Sequence, residues 1–148
     1  MHNKVVGYTT GVFDLFHIGH LNILKKAKEQ CDYLIVGVST DELTIDYKNK
    51  MPIIPFEERI EIVKSIKYVD EVVAQKSLDK YEAWERLHYT KLFHGDDWKN
   101  TELYRNMQEK FEKVGVEIVY FPYTSGTSST MIKRFIDKQE DYYKEKGK

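Results

Sequence analysis

A chain of 148 residues, 41% hydrophobic and 14% aromatic, carries enough apolar material for one ordinary core, which excludes a disordered or low-complexity protein. Its 23 basic and 24 acidic side chains leave a formal charge of −1, so nothing points to nucleic acid or an anionic membrane as partner, while a small polyanion needs only a few local cations. The single cysteine, Cys31, excludes an intramolecular disulfide and a cysteine-rich zinc site, and with no visible signal peptide or membrane span a cytoplasmic location is expected.

In chain order, the apolar run KVVGYT at 4–9 predicts a buried strand. GVFDLFHIGH (11–20) then turns into a helix over 19–30, with Leu21, Leu24 and Ala27 on its stripe and Ile23 beside it. YLIVGVS (33–39) is the second strand. TDELTIDYKNKMPIIP (40–55), with two lysines and two prolines, is expected to be a long connecting loop, a length usually tied to function in a compact domain. A helix over 57–66 opens on proline and acids, followed by a strand at 70–75 and a helix at 79–88. A strand at 91–95, a helix at 101–114, a strand at 116–122 and a helix at 128–143 complete the series, with a mixed-charge tail expected to fray from about 138. This alternation predicts right-handed βαβ units in a single α/β domain over 1–148. The fold expected is a Rossmann-like, doubly wound parallel sheet of about five strands with helices on both faces.

The chemistry is densest at 11–20. In a doubly wound sheet ligands sit at the carboxyl ends of strands, where helix N-termini present free N–H groups to anions, phosphates above all. His17 and His20, with Gly19 between them, enter such a helix. Three readings stand: donors to phosphoryl oxygens, residues that only cap the helix, or metal ligands. The metal reading lacks a partner, because His2, His88 and His94 follow no recognisable ligand spacing.

HIGH within GVFDLFHIGH resembles the His-x-Gly-His signature of the nucleotidyltransferase superfamily. STDEL (39–43), EERIEIVKSIKYVDEVV (57–73), GDDW (95–98) and GTSSTMIK (126–133) resemble, in order, the blocks of its cytidylyltransferase family, in particular of bacterial glycerol-3-phosphate cytidylyltransferases. The resemblance implies transfer of CMP from CTP, with Mg²⁺ on the nucleotide phosphates, to a small phosphorylated alcohol, glycerol 3-phosphate first. CDP-glycerol and pyrophosphate are the implied products, formed by direct attack without a covalent enzyme intermediate. His17, His20 and Lys50 are then catalytic. Val12, Phe13, Asp14, Gly19, Asp96, Asp97, Tyr123, Thr124, Gly126, Thr127, Ser128, Ser129 and Thr130 join them in binding the nucleotide. In that set Asp14 orders the loop, and Asp96 and Asp97 reach the base, where a carboxylate can accept from the cytosine amine. Lys48, Arg59 and Lys80 match acceptor-binding residues. A homodimer is implied around Tyr68, Val69 and Val72, with no metal site of the protein's own, no nucleic acid and no membrane.

Each assignment has a plainer counterpart. Arg59 is alternatively a solvated ion pair with Glu58 or Glu61, the aspartates ordinary turn residues, and GTSST an N-cap with spare serines. Tyr81 and Trp84 could line a site for a quaternary ammonium, but their helical spacing with residue 87 favours core packing. The chain departs from the family at Tyr123 and Lys67, where arginines are usual, and at Thr127-Ser128 in place of Ile-Ser. Alternative readings keep CTP but use phosphocholine, phosphoethanolamine or another ester, use ATP (SSTMIKR resembles an adenylyltransferase motif), or give a catalytically silent nucleotide-binding scaffold.

Overall fold

The computed structural model describes residues 4–95, 99–122 and 128–147. Strand β1 (Val6–Gly11) is followed by α1 (Ile18–Glu29), β2 (Tyr33–Ser39), α2 (Asp41–Lys48), α3 (Phe56–Lys64), β3 (Glu71–Gln75) and α4 (Lys80–Leu87). The chain continues through β4 (Lys91–Gly95), α5 (Glu102–Glu112), β5 (Glu117–Phe121) and α6 (Ser129–Glu145). The strands form one all-parallel sheet in the order β3-β2-β1-β4-β5, the expected Rossmann-like α/β fold.

Alternation along the strands divides the core in two. Leu34, Val36 and Val38 of β2 and Phe93 of β4 pack with Leu24 and Ala27 of α1 and Val63 of α3 on one face. Tyr8, Ile35 and Leu92 turn the other way, onto Ala83 of α4 and Phe111 of α5. Tyr81 and Trp84 belong to this second cluster, which is the packing role their spacing favoured. Tyr68, Val69 and Val72, the expected pairing surface, pack partly buried against the first cluster. Among the described residues no helix is long and apolar enough to cross a membrane.

Two expectations are corrected. The segment 40–55 is not a continuous loop: Thr40 caps Leu43 N and opens α2, with Asp41 and Glu42 in its first turn. Only Thr44 of that helix is buried, so it lacks the apolar period that would announce it, and the prolines at 52 and 55 made the whole segment look irregular. The charged tail continues α6 to Glu145 rather than fraying from 138.

Candidate active site

Between β1 and α1 the backbone makes an unusual turn. Phe13 and Leu15 both adopt left-handed conformations (φ 55° and 51°), a costly choice for residues with side chains. Phe13 is held there by burial in the core, and a side chain at Gly11 would meet the Phe13 ring at 3.0 Å, so the loop can fold back only over glycine. Between these two residues Asp14 is 6% exposed and works as a clamp. Its two carboxylate oxygens accept the N–H groups of Ile53 and Ile54 at 2.9 and 3.0 Å, and its carbonyl accepts Ser129 Oγ–H at 2.6 Å. Lys133 Nζ stands 3.6 Å from the same carboxylate. Burial alone would raise the Asp14 pKa, but these donors outweigh it and hold the group below the usual carboxylate range.

The two histidines cap α1 reciprocally. His17 Nδ1 accepts from Gly19 N at 3.0 Å, and His20 Nδ1 accepts from His17 N at 3.2 Å. Because both Nδ1 atoms accept, both neutral rings carry their proton on Nε2. Neither Nε2 has a protein partner among the described residues, and the rings lie 3.9 Å apart. Burial lowers the pKa of His17. Burial first, then His17 and Lys48, brings His20 down to about 4 against the opposing pull of Asp14, so both are neutral donors near pH 7. Capping occupies the Nδ1 atoms and leaves both Nε2–H groups as donors, so the two readings that were rivals in the sequence are compatible.

His20 lines a crevice of about 440 Å³ at the carboxyl ends of β1 and β4, and His17 adjoins His20 outside that lining. Val12, Phe13, Asp14, His20, Lys48, Lys50, Ser129 and Thr130 line it. Lys48 ends α2, Asn49 turns in the left-handed region (φ 55°), and Lys50 follows. Burial and then repulsion from Lys133 and Lys50 lower the Lys48 pKa, so three cations share the crevice with one carboxylate. This excess of positive charge is complementary to a polyanion. Ser128 caps α6 through Met131 N, leaving Ser129 to hold Asp14.

Other expected residues stand elsewhere. Arg59 is fully buried, and its ion pair is with Asp41 at 2.6 Å, not with Glu58 or Glu61. It also donates to the carbonyls of Ile54 (2.8 Å), Val12 (2.7 Å) and Ser39 (2.8 Å), joining the β1 loop to β2 and the start of α3. Lys80 is buried outside the crevice, donating to Gln75 Oε1 at 3.0 Å, and burial lowers its pKa to about 8. It borders a second, largely apolar pocket of about 420 Å³ between α4 and α5, similar in size but lined by no histidine. Asp96, Asp97, Tyr123, Thr124, Gly126 and Thr127 lie outside the described residues. Two titratable lining residues, Lys133 and His94, were missed. Lys133 sits one helical turn after Ser129, a same-face spacing that could have revealed it, and His94 stands at the end of β4, where a doubly wound sheet places ligands. His94 is fixed by a 2.7 Å contact with Tyr104 Oη.

The Cytidylyltransferase-like family model matches residues 8–135. The chain belongs to this family. It is therefore a nucleotidyltransferase enzyme. Among the relatives of this cytidylyltransferase-like chain, the glycerol-3-phosphate cytidylyltransferase of Bacillus subtilis (strain 168) is 39% identical over 140 residues, covering 90% of this chain and 96% of the relative. The FAD synthase of Pyrococcus abyssi (strain GE5 / Orsay) is 36% identical over 134 residues, covering 86% and 89%. The solved structure of the lipopolysaccharide core biosynthesis protein from Thermoplasma volcanium GSS1 superposes with a TM-score of 0.70 at 26% identity, covering 84% of this chain and 100% of that one.

Among the described residues of the cytidylyltransferase-like chain no three His, Cys, Asp or Glu side chains form a metal-binding group. Asp14, the carboxylate of the crevice, already has its oxygens engaged. Among the described residues the crevice therefore offers no ready set of metal ligands.

Proposed function

We propose that the enzyme transfers CMP from CTP to a small phosphorylated alcohol, glycerol 3-phosphate first, releasing pyrophosphate and CDP-glycerol. The observation that carries this reading is the convergence of Lys48, Lys50 and Lys133 on a crevice lined by His20, a neutral Nε2–H donor, with the His17 ring 3.9 Å from that of His20. An oxygen of the acceptor phosphate attacks the α-phosphorus while the bond to the β-phosphate oxygen breaks. His17 and His20 donate to oxygens gaining charge, and the lysines neutralise the departing pyrophosphate. Mg²⁺ arrives on the nucleotide as part of the substrate. The B. subtilis relative, similar over nearly its whole length, supports glycerol 3-phosphate as acceptor. The reading further includes a homodimer in the cytoplasm.

The P. abyssi relative supports a second reading, in which ATP replaces CTP and the acceptor is larger. One experiment separates the two: pyrophosphate release with each nucleoside triphosphate crossed against a panel of phosphorylated alcohols, phosphocholine and phosphoethanolamine included. CTP with glycerol 3-phosphate should give the highest kcat/KM. Faster turnover with ATP across the panel defeats the cytidine assignment, and no turnover with any pair leaves a silent scaffold.

A further inference from the structure

Two cavities of nearly equal volume, about 440 and 420 Å³, lie toward the carboxyl ends of the strands, and among the described residues their linings share no member. A pair of side chains joins them. His94, near the end of β4, belongs to the crevice, and Tyr104, in the first turn of α5, belongs to the second pocket. The two rings meet edge to face with centroids 4.8 Å apart, and Tyr104 Oη stands 2.7 Å from His94 Nε2.

The hydrogen bonds decide what this pair can do. His94 Nδ1 stands 3.0 Å from the Gly95 carbonyl, which only accepts, so in the neutral ring Nδ1 carries the proton. Nε2 is then the acceptor, and the Tyr104 hydroxyl is its donor. Burial first, then Tyr120, pushes the Tyr104 pKa up to about 12, so the hydroxyl keeps its proton at neutral pH. This tautomer is the reverse of that in His17 and His20, whose Nδ1 atoms accept. Those rings have an N–H to give a ligand, whereas both nitrogens of His94 are engaged with the protein. Its contribution to the crevice is therefore steric. Tyr104 is itself only 9% exposed and its backbone N–H is capped by Thr101, so His94 leans on a fixed support.

The two sides of this wall differ in chemistry. On the crevice side stand Lys48, Lys50 and Lys133, whose charge suits a polyanion. On the other side Leu78, Tyr81, Leu103 and Met107 make an apolar chamber, with Lys110 Nζ 4.2 Å from the centre of the Tyr81 ring. An acceptor whose alcohol carried an apolar group would gain by burying it in that chamber, but only if it could pass His94.

We propose that His94, braced by Tyr104, limits the acceptor to small alcohols by closing the crevice off from the apolar pocket between α4 and α5. The inference rests on the reading above, in which the acceptor is a phosphorylated alcohol, and adds what sets its size.

The test compares two phosphate monoesters of equal charge, glycerol 3-phosphate and 2-phenylethyl phosphate. Steady-state rates with CTP give kcat/KM for each, and calorimetry gives the Kd of each ester independently of turnover. His94→Ala should raise kcat/KM for the phenylethyl ester relative to glycerol 3-phosphate about tenfold or more, and tighten its Kd by a similar factor, as expected when an apolar group gains a pocket. The change should appear in the acceptor KM while the CTP KM holds. His94→Phe restores the bulk without the nitrogens and should return the ratio to that of wild type. Tyr104→Phe keeps both rings and should move the ratio by less than about threefold. Circular dichroism checks folding, and Tyr104→Val, which opens the wall from the other side, decides the matter if His94→Ala does not fold. A ratio and Kd unmoved by the opening variants overturn the proposal. So does a His94→Phe enzyme that behaves like His94→Ala, since size would then not be the property at work. A changed preference between CTP and ATP with the acceptor ratio unmoved puts the base at this wall and overturns the acceptor assignment. Absence of turnover by wild type with CTP and either ester defeats the proposed reaction alone, and the Kd comparison still decides the wall.

Discussion

Replacing Arg59 by methionine tests whether this residue braces the active-site loop or binds the acceptor. The guanidinium is 0% exposed and holds four protein acceptors: the carbonyls of Val12, Ser39 and Ile54 and the carboxylate of Asp41. Arg59→Met keeps most of the buried hydrocarbon but leaves three carbonyls without this donor. Asp41, whose side chain is 26% exposed, can recover water, so its loss is smaller. At about 1–3 kcal/mol for each stranded polar group the sum has a high ceiling, which relief from burying a charge brings down to roughly 3–5 kcal/mol. For a chain of this size that lowers Tm by on the order of 10 °C. Arg59→Lys retains the charge but cannot span acceptors drawn from separate segments, so it should recover only part of the loss. Urea unfolding by circular dichroism gives the stability, and initial rates give KM for each substrate. Because Val12 lies in the crevice wall, the brace predicts a lower kcat together with lower stability. Stability within about 0.5 kcal/mol of wild type, with only the acceptor KM raised, would refute the brace and restore Arg59 to the acceptor.

Loss of either imidazole donor should be felt in turnover. His17→Ala and His20→Ala should each lower kcat by about a hundred- to a thousandfold, the cost of one preorganised donor, and a folded variant with unchanged kcat would reduce that residue to a cap. The pKa of His20 is about 4 in the fold against 6.5 ordinarily, so the unfolded chain takes up its proton first. The contribution of the neutral ring is complete above pH 6.5 and lost as pH falls toward about 4; thermal melts across that window should show a slope that His20→Gln flattens. The buried ammonium of Lys80 has an amide oxygen as its partner, so Lys80→Met should raise the urea midpoint, and a lower midpoint would refute the reasoning. If Lys80 also binds the acceptor, the same variant raises the acceptor KM more than the CTP KM.

How far the chain could be read in advance depended on how local the determining forces were. The five strands stood out because a parallel sheet buried on both faces demands continuous apolar runs such as YLIVGVS. The crevice was legible as far as the strand-to-helix turn of GVFDLFHIGH, since the need for a helix start after β1 is local. α2 was not legible, because a helix with one buried residue shows no apolar period. Nor was the burial of Arg59, which depends on carbonyls from three segments and a carboxylate that only the tertiary fold brings together. The dual use of the histidines was hidden for a different reason: a sequence names a residue, whereas capping and donation divide its two nitrogens.

The place of β1 at the middle of the sheet has a consequence for the order in which the molecule is made. Its first neighbour, β2, follows closely, but its second, β4, pairs through contacts such as Thr9 to Phe93, 84 residues apart. The seal between Asp14 and Ser129 spans 115 residues. On a ribosome, the turn that carries both histidines is synthesised more than a hundred residues before the helix that completes its walls, Ser129 lying 115 residues after Asp14. Contacts of such separation form late, since chain closure must be accomplished before they contribute. A nascent chain therefore exposes its histidine-bearing turn before Ser129 and Lys133 can close the crevice around it.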